Sequence, residues 1–144
     1  MVTTSYQGNL EKTAKAKGVN MPISRKAGYE IANVIRGKST KKAVAFLEYV
    51  VGLKEPVPYK RFNDNVGHKR GMAAGRYPSK AAKHILYVLN NAIKNAEDQG
   101  LQSDSLVVVH ISVQQGEGQW RHGRQRRRQM KAAHVDIVVQ EVSQ

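Results

Sequence analysis

Apolar residues recur at helical spacing in three stretches of the chain and alternate as they do in strands in two stretches near its end. In the first helical stretch Ala27, Ile31, Val34 and Ile35 repeat every three or four positions, Ser24 stands where a cap belongs, and Gly37 supplies the stop. A helix is predicted over 24–36. The second begins at Ser39 or Thr40, gathers Ala43, Leu47, Val50 and Val51 on one side, and ends at Gly52. The third opens at Pro78 or Ser79, where Ala81, Ala82, Ile85, Leu86, Leu89, Ala92, Ile93 and Ala96 make a broad apolar face, and Gly100 closes it. It is predicted as the central core helix, with Lys80, Lys83, His84, Asn91 and Lys94 on or beside its far face.

Val107, Val109, Ile111 and Val113 share one parity while His110 and Ser112 take the other; later Val135, Ile137 and Val139 alternate with His134, Asp136 and Gln140. Residues 13–21 carry a weaker period, are basic, and stop at Pro22, which suits an edge strand or an extended arm. Helices first and an antiparallel pair last predict an α+β fold. In it, three helices pack on a small antiparallel sheet, three-stranded if the N-terminal arm pairs, and the basic hairpin extends beyond. At 144 residues the chain is expected to be a single domain, 1–144.

Two stretches break the periodicity. Between the final strands, QWRHGRQRRRQMK at 119–131 holds six cationic side chains in thirteen residues and no acid. A hairpin commonly turns in about two to five residues. Crowded arginines gain little unless a polyanion neutralises them, so Arg121, Arg124, Arg126, Arg127, Arg128 and Lys131 are candidate nucleic-acid contacts on an extension spanning 114–133. Trp120 can stack on a base or anchor the hairpin root. The second stretch, 53–77, has no sustained period and interleaves Lys60, Arg61, His68, Lys69, Arg70 and Arg76 with Tyr59, Phe62 and Tyr77. Cations with aromatics suit the phosphates and unpaired bases of RNA, and each aromatic taken singly also suits a core plug beneath a loop.

Charge points the same way. Twenty-four Lys and Arg against eleven Asp and Glu leave a formal charge of +13 and a pI near 10.2, the footprint of a nucleic-acid binder. The same charge would suit a free-standing cationic module that docks on acidic proteins or anionic membrane. A membrane helix, however, would line its basic residues along one amphipathic edge, and here they gather in two loops and at helix ends. No apolar run reaches the ~18–20 residues of a membrane span, and MVTTSYQGNLEK lacks the apolar centre of a signal peptide, so a cytoplasmic protein is expected. Cysteine is absent, which removes disulfides, thiolate catalysis and Cys-based zinc sites. The five histidines do not converge in sequence with enough acids for a metal site, the carboxylates are scattered, and neither G-x-S-x-G nor G-x-x-x-x-G-K occurs. No enzyme activity, cofactor or metal is expected; the chemistry is recognition.

ISRKAGYEIANVIRGKS at 23–39, VPYKRFNDNVGHKRG at 57–71, GRYPSKAAKHILYVLNNAIKNAEDQGL at 75–101 and HVDIVVQE at 134–141 together resemble the universal large-subunit ribosomal protein number twenty-two, number seventeen in eukaryotes. The VPY and GHKRG insertion and the GRYP turn resemble the archaeal form. The resemblance covers nearly the whole chain, with four motifs in the family's order. It implies a structural constituent of the large ribosomal subunit that binds its rRNA and supports assembly. Its hairpin would help line the nascent-peptide exit tunnel, with neighbouring ribosomal proteins and a nascent peptide near the tip as further partners. The likeness also implies that Arg25 and Lys26, Arg36 and Lys38, and Arg76 and Lys80 face RNA. Their positions at element ends, where helix termini leave backbone groups exposed, agree with that. The chain departs from the family at the hairpin: where the family carries an R-A-x-G-R stretch and further residues before the last strand, GEGQWRHGRQRRRQMKA closes the gap in fewer residues. Each residue lost from both limbs shortens the reach by ~3.3 Å.

Overall fold

Alternation in the last third of the chain does produce the sheet, with β5 as its middle strand. The computed structural model describes residues 6–8 and 11–142. In chain order the elements are β1 (Thr13–Met21), α1 (Arg25–Ile35), α2 (Thr40–Val51), β2 (Val57–Pro58), β3 (Gly75–Arg76), α3 (Ser79–Asp98), β4 (Leu106–Gln115) and β5 (Ala133–Glu141). The arm at 13–21 is an edge strand, paired antiparallel with β5, and the sheet order is β1-β5-β4. Three helices on a small antiparallel sheet make an α+β fold. Most of the opening segment read for a signal peptide lies outside the described residues.

The core forms where the apolar stripes meet the inner face of the sheet. Ala14 and Ala16 of β1, Ile111 of β4, and Val135, Ile137 and Val139 of β5 lie under Ile31 and Ile35 of α1, Leu47 and Val50 of α2, and Ile85 and Leu89 of α3, all fully or almost fully buried. Burying the Val, Leu and Ile side chains among them supplies the main driving force, roughly 1.5–3 kcal/mol each. Close approach needs a missing side chain at Gly28, because a Cβ there would come within 2.9 Å of Val113 Cγ1. The structure adds Phe46, Thr40 and Val88 to the buried faces of α2 and α3 and leaves Val51 only half-buried.

The predicted face of β4 is corrected. Leu106, Val108 and Ile111 are the buried residues, while Val107 and Val109 are half-exposed. The cause is a bulge: Val108 pairs with Val139 but His110 pairs with Val138, so Val109 is an extra residue that switches the parity of everything before it. The outer edge of β4 is covered there, since the Gly37 N–H bonds the Val108 carbonyl at 2.8 Å and the Val108 N–H bonds the Lys38 carbonyl at 3.0 Å. Gly37 reaches this position with φ +76°, which explains a glycine as the stop of α1. Ser24 stands at the N-cap of α1 without a side-chain cap; its carbonyl accepts the Gly28 N–H at 2.9 Å.

The aperiodic stretch 53–77 is also ordered. β2 and β3 pair through Val57 with Arg76 and Pro58 with Gly75, and the Tyr59 N–H continues the ladder to the Ala74 carbonyl at 2.9 Å. Strands of two residues are too short to show a period, so the sequence reads there as a loop.

Candidate nucleic-acid interface

Beyond β4 and β5 the hairpin narrows into a two-stranded ribbon. The Gly116 N–H bonds the Ala132 carbonyl (3.0 Å), the Met130 N–H the Gln119 carbonyl (2.8 Å) and the Arg121 N–H the Arg128 carbonyl (2.8 Å), while Trp120 pairs with Gln129. A single 3-10 turn at Gly123–Gln125, with Gly123 at φ +65°, closes the end. The paired ribbon therefore shortens the long loop of the sequence reading to a tight tip, and it fans Arg124, Arg126, Arg127 and Arg128 into solvent. Trp120 is 64% exposed and lies on the ribbon beyond the root, so the root-anchor reading of this side chain is not met. What anchors the root is Asn20, in the left-handed region at φ +49°. Its side-chain oxygen accepts the Glu117 N–H at 3.0 Å and its own N–H donates to His134 Nδ1 at 3.2 Å.

A basic hollow opens where the hairpin root meets the start of α1, the start of α3 and the 57–76 segment. One cleft, of about 530 Å³, has Ser24, Tyr77, Lys80, Arg121, Met130 and Lys131 among its walls. Two smaller ones, of about 300 and 270 Å³, share Ser24, Lys26 and Lys131 with each other and add Arg76 and Arg25 respectively. Both helix starts leave backbone N–H groups unsatisfied within their first turns, a setting that favours anions.

The structure thus brings Arg25, Lys26, Arg76, Lys80, Arg121 and Lys131 together around one hollow, with Lys60 and Arg61 on the adjoining segment. His68, Lys69 and Arg70 sit on a further turn closed by the Lys69–Met72 bridge. Arg36 and Lys38 stand apart, at the other end of α1, about 16 Å away along its axis. Arg36 has structural work there, donating to the Ile111 carbonyl at 3.0 Å and to Asn33 Oδ1 at 3.1 Å, and Lys38 lies 5.0 Å over the Phe46 ring. The sequence reading passed over Glu30, whose carboxylate is fully buried and accepts the backbone N–H groups of Lys60, Arg61 and Phe62. Its signal was available: an acid three residues after Ala27 and one before Ile31, on the apolar stripe of α1.

Electrostatically the site is mostly cationic, with Asp64 on the wall of one cleft. Every candidate cation except half-buried Lys38 is exposed, and among the described residues none pairs with a carboxylate. The ion pairs Lys17–Asp136 (3.7 Å) and Lys41–Asp104 (2.7 Å) lie elsewhere. Hydrogen bonds from Arg61 and then Asn33 hold the Tyr29 hydroxyl below its usual pKa, whereas burial pushes Tyr59 up. An exposed, uncompensated array of this kind attracts polyanions. Among the described residues no three His, Asp or Glu side chains gather as metal ligands, and no helix is long and apolar enough to cross a membrane.

Comparison with known proteins gives a consistent picture. The profile of the family described as ribosomal protein L22p/L17e matches residues 16–140. A protein named large ribosomal subunit protein uL22 from Ignicoccus hospitalis is 43% identical over 151 aligned positions, covering 97% of this chain and 95% of that protein. The protein of the same name from Staphylothermus marinus is 40% identical over 156 positions, covering 99% of each. That from Archaeoglobus fulgidus is 49% identical over 108 positions, covering 73% and 70%. Alignments of 151 and 156 positions exceed the chain's 144 residues, so the first two relatives carry residues that this chain lacks.

Proposed function

The chain belongs to the ribosomal protein L22p/L17e family, and from that premise we propose that its basic hollow and arginine tip bind large-subunit rRNA. As a member it is a structural constituent of the large subunit of the cytoplasmic ribosome and not an enzyme. The alternative of a free-standing cationic module docking on acidic proteins or anionic membrane loses its ground with that assignment.

In the proposal the chain is one domain with two RNA-facing extensions, the segment 53–77 and the hairpin 114–133. The hollow seats the domain on the RNA surface through Arg25, Lys26, Arg76, Lys80, Arg121 and Lys131, and the tip threads between RNA helices. Neighbouring ribosomal proteins complete the surroundings. The ribbon anchors in RNA and contributes through its end to the exit tunnel, where a nascent peptide passes. The observation carrying this reading is the exposed set of cations that no carboxylate of the described residues neutralises.

The test is the quadruple change of Arg124, Arg126, Arg127 and Arg128 to Ala. The domain should stay folded, because these side chains touch no core residue, and its incorporation into large subunits should fall. Binding to large-subunit RNA should lose salt dependence, by roughly 0.7–0.9 in log–log slope per phosphate contact removed. Normal incorporation with an unchanged slope would sink the proposal.

A further inference from the structure

Glu30 is fully buried, and no cationic side chain pairs with it among the described residues. Its charge is met by backbone alone: one carboxylate oxygen accepts the Lys60 N–H at 3.1 Å and the other accepts Arg61 and Phe62 at 2.9 and 2.8 Å. A buried carboxylate persists in this way only when it is thoroughly hydrogen-bonded. Three consecutive amides aimed at one group also fix the course of the chain there. That course lays Phe62 against the first turn of α1, edge-on to Tyr29 with ring centroids 5.5 Å apart.

The Phe62 ring in turn collects cations. Lys26 Nζ and the Arg25 guanidinium lie 5.5 and 5.8 Å from its centroid, and the Arg61 guanidinium is shared between Phe62, at 5.6 Å, and its edge-on neighbour Tyr29, at 5.2 Å. Like charges would drift apart in water, but the ring's negative face draws them to one place. The other aromatics of the segment are engaged likewise, with Arg76 5.9 Å over Tyr59 and Lys69 5.4 Å over Tyr77. Tyr59, Phe62 and Tyr77, the rings of this segment expected to suit unpaired bases, thus each lie against one or more of the protein's own cations.

We propose that Glu30 is a positioning residue: through the Lys60–Phe62 backbone and the Phe62 ring it holds Arg25, Lys26 and Arg61 as a preformed site for the phosphodiester backbone of RNA, which this segment reads without regard to base. The inference rests on the RNA-binding reading above and assigns its ligand chemistry.

The test uses the full chain with poly(U) and poly(A) as probes, titrated across a range of salt. Glu30→Gln turns an amide N–H toward the Lys60 N–H. It should weaken binding about tenfold on both polymers and lower the salt slope by up to ~2, three single-strand phosphates at ~0.7 each. Amide exchange at residues 60–62 should quicken while exchange in α3 stays slow. Phe62→Leu keeps apolar bulk but removes the ring face, and it should give a several-fold loss, equal on the two polymers, even if Glu30→Gln does not fold. Wild-type affinity and slope in the folded variants would overturn the inference. So would a Phe62→Leu loss on poly(A) alone, which would mean base stacking. Failure of the unaltered chain to bind either polymer would overturn the RNA reading itself, and this one with it.

Discussion

Gly116→Ala tests whether the hairpin is aimed by its root. The backbone at Gly116 is so tightly enclosed that an added Cβ would stand 2.8 Å from Asn20 Oδ1, 2.9 Å from the Ala133 nitrogen and 3.0 Å from the Ala132 carbonyl carbon. Two of those neighbours are main chain and cannot swing aside. Overpacking of this kind costs about 1–3 kcal/mol, and displacing Asn20 forfeits its bond to the Glu117 N–H, about 0.5–1.5 kcal/mol more. A total of about 2–4 kcal/mol lowers Tm on the order of 10 °C in a domain of this size. The functional effect exceeds the thermodynamic one, because the six residue steps of extended ribbon from 116 to 122 make a lever of about 20 Å. A 10° tilt at the root moves the tip by roughly 3.5 Å, enough to separate a guanidinium from its phosphate. The assays are thermal unfolding, amide exchange at Glu117, and incorporation into large subunits below the new Tm. The expected result is a folded protein with a fast-exchanging Glu117 and poor incorporation. A Tm within 1 °C of the parent, with unchanged exchange at Glu117, would refute the reasoning.

Leu89→Ala, at a fully buried position in the middle of α3, should cost about 2–5 kcal/mol in denaturant unfolding; a loss under 1 kcal/mol would mean that α3 is not the central core helix. Stability should also carry a histidine-dependent pH slope. Burial first, and then the Arg36 guanidinium, hold His110 below its ordinary pKa, against the opposing pull of Asp136. The unfolded chain therefore takes up the proton first as pH falls below about 6.5, so this contribution is present above that value and is lost as pH drops toward the folded-state value. Between pH 7.5 and 5.5 the parent should lose more Tm than His110→Gln, and parallel losses would refute the assignment.

What was legible in the sequence was whatever repeats over many residues. The stripes of α1, α2 and α3 run for eleven to twenty residues, and the alternation of β5 survives because Val135, Ile137 and Val139 face the core without interruption. Periodicity fails where one residue changes the count. Val109 is an ordinary strand residue whose place as a bulge follows from pairing with β5, which no local pattern contains. The 57–58 and 75–76 strands are likewise fixed at long range, since Glu30 reaches across thirty residues to bond the Lys60 N–H. The cations of the site were readable by charge alone, but their grouping was not: only the meeting of α1, α3 and the hairpin root puts Arg25, Lys80 and Lys131 around one hollow, and sends Arg36 to the far end of α1.

Whether the hairpin inserts into rRNA is read from density for residues 119–131 in an assembled large subunit. An ordered ribbon is expected, with Arg124, Arg126, Arg127 and Arg128 set against rRNA phosphates and Trp120 within the particle. A tip without density, or one turned toward solvent while the rest of the domain is seated, would contradict it.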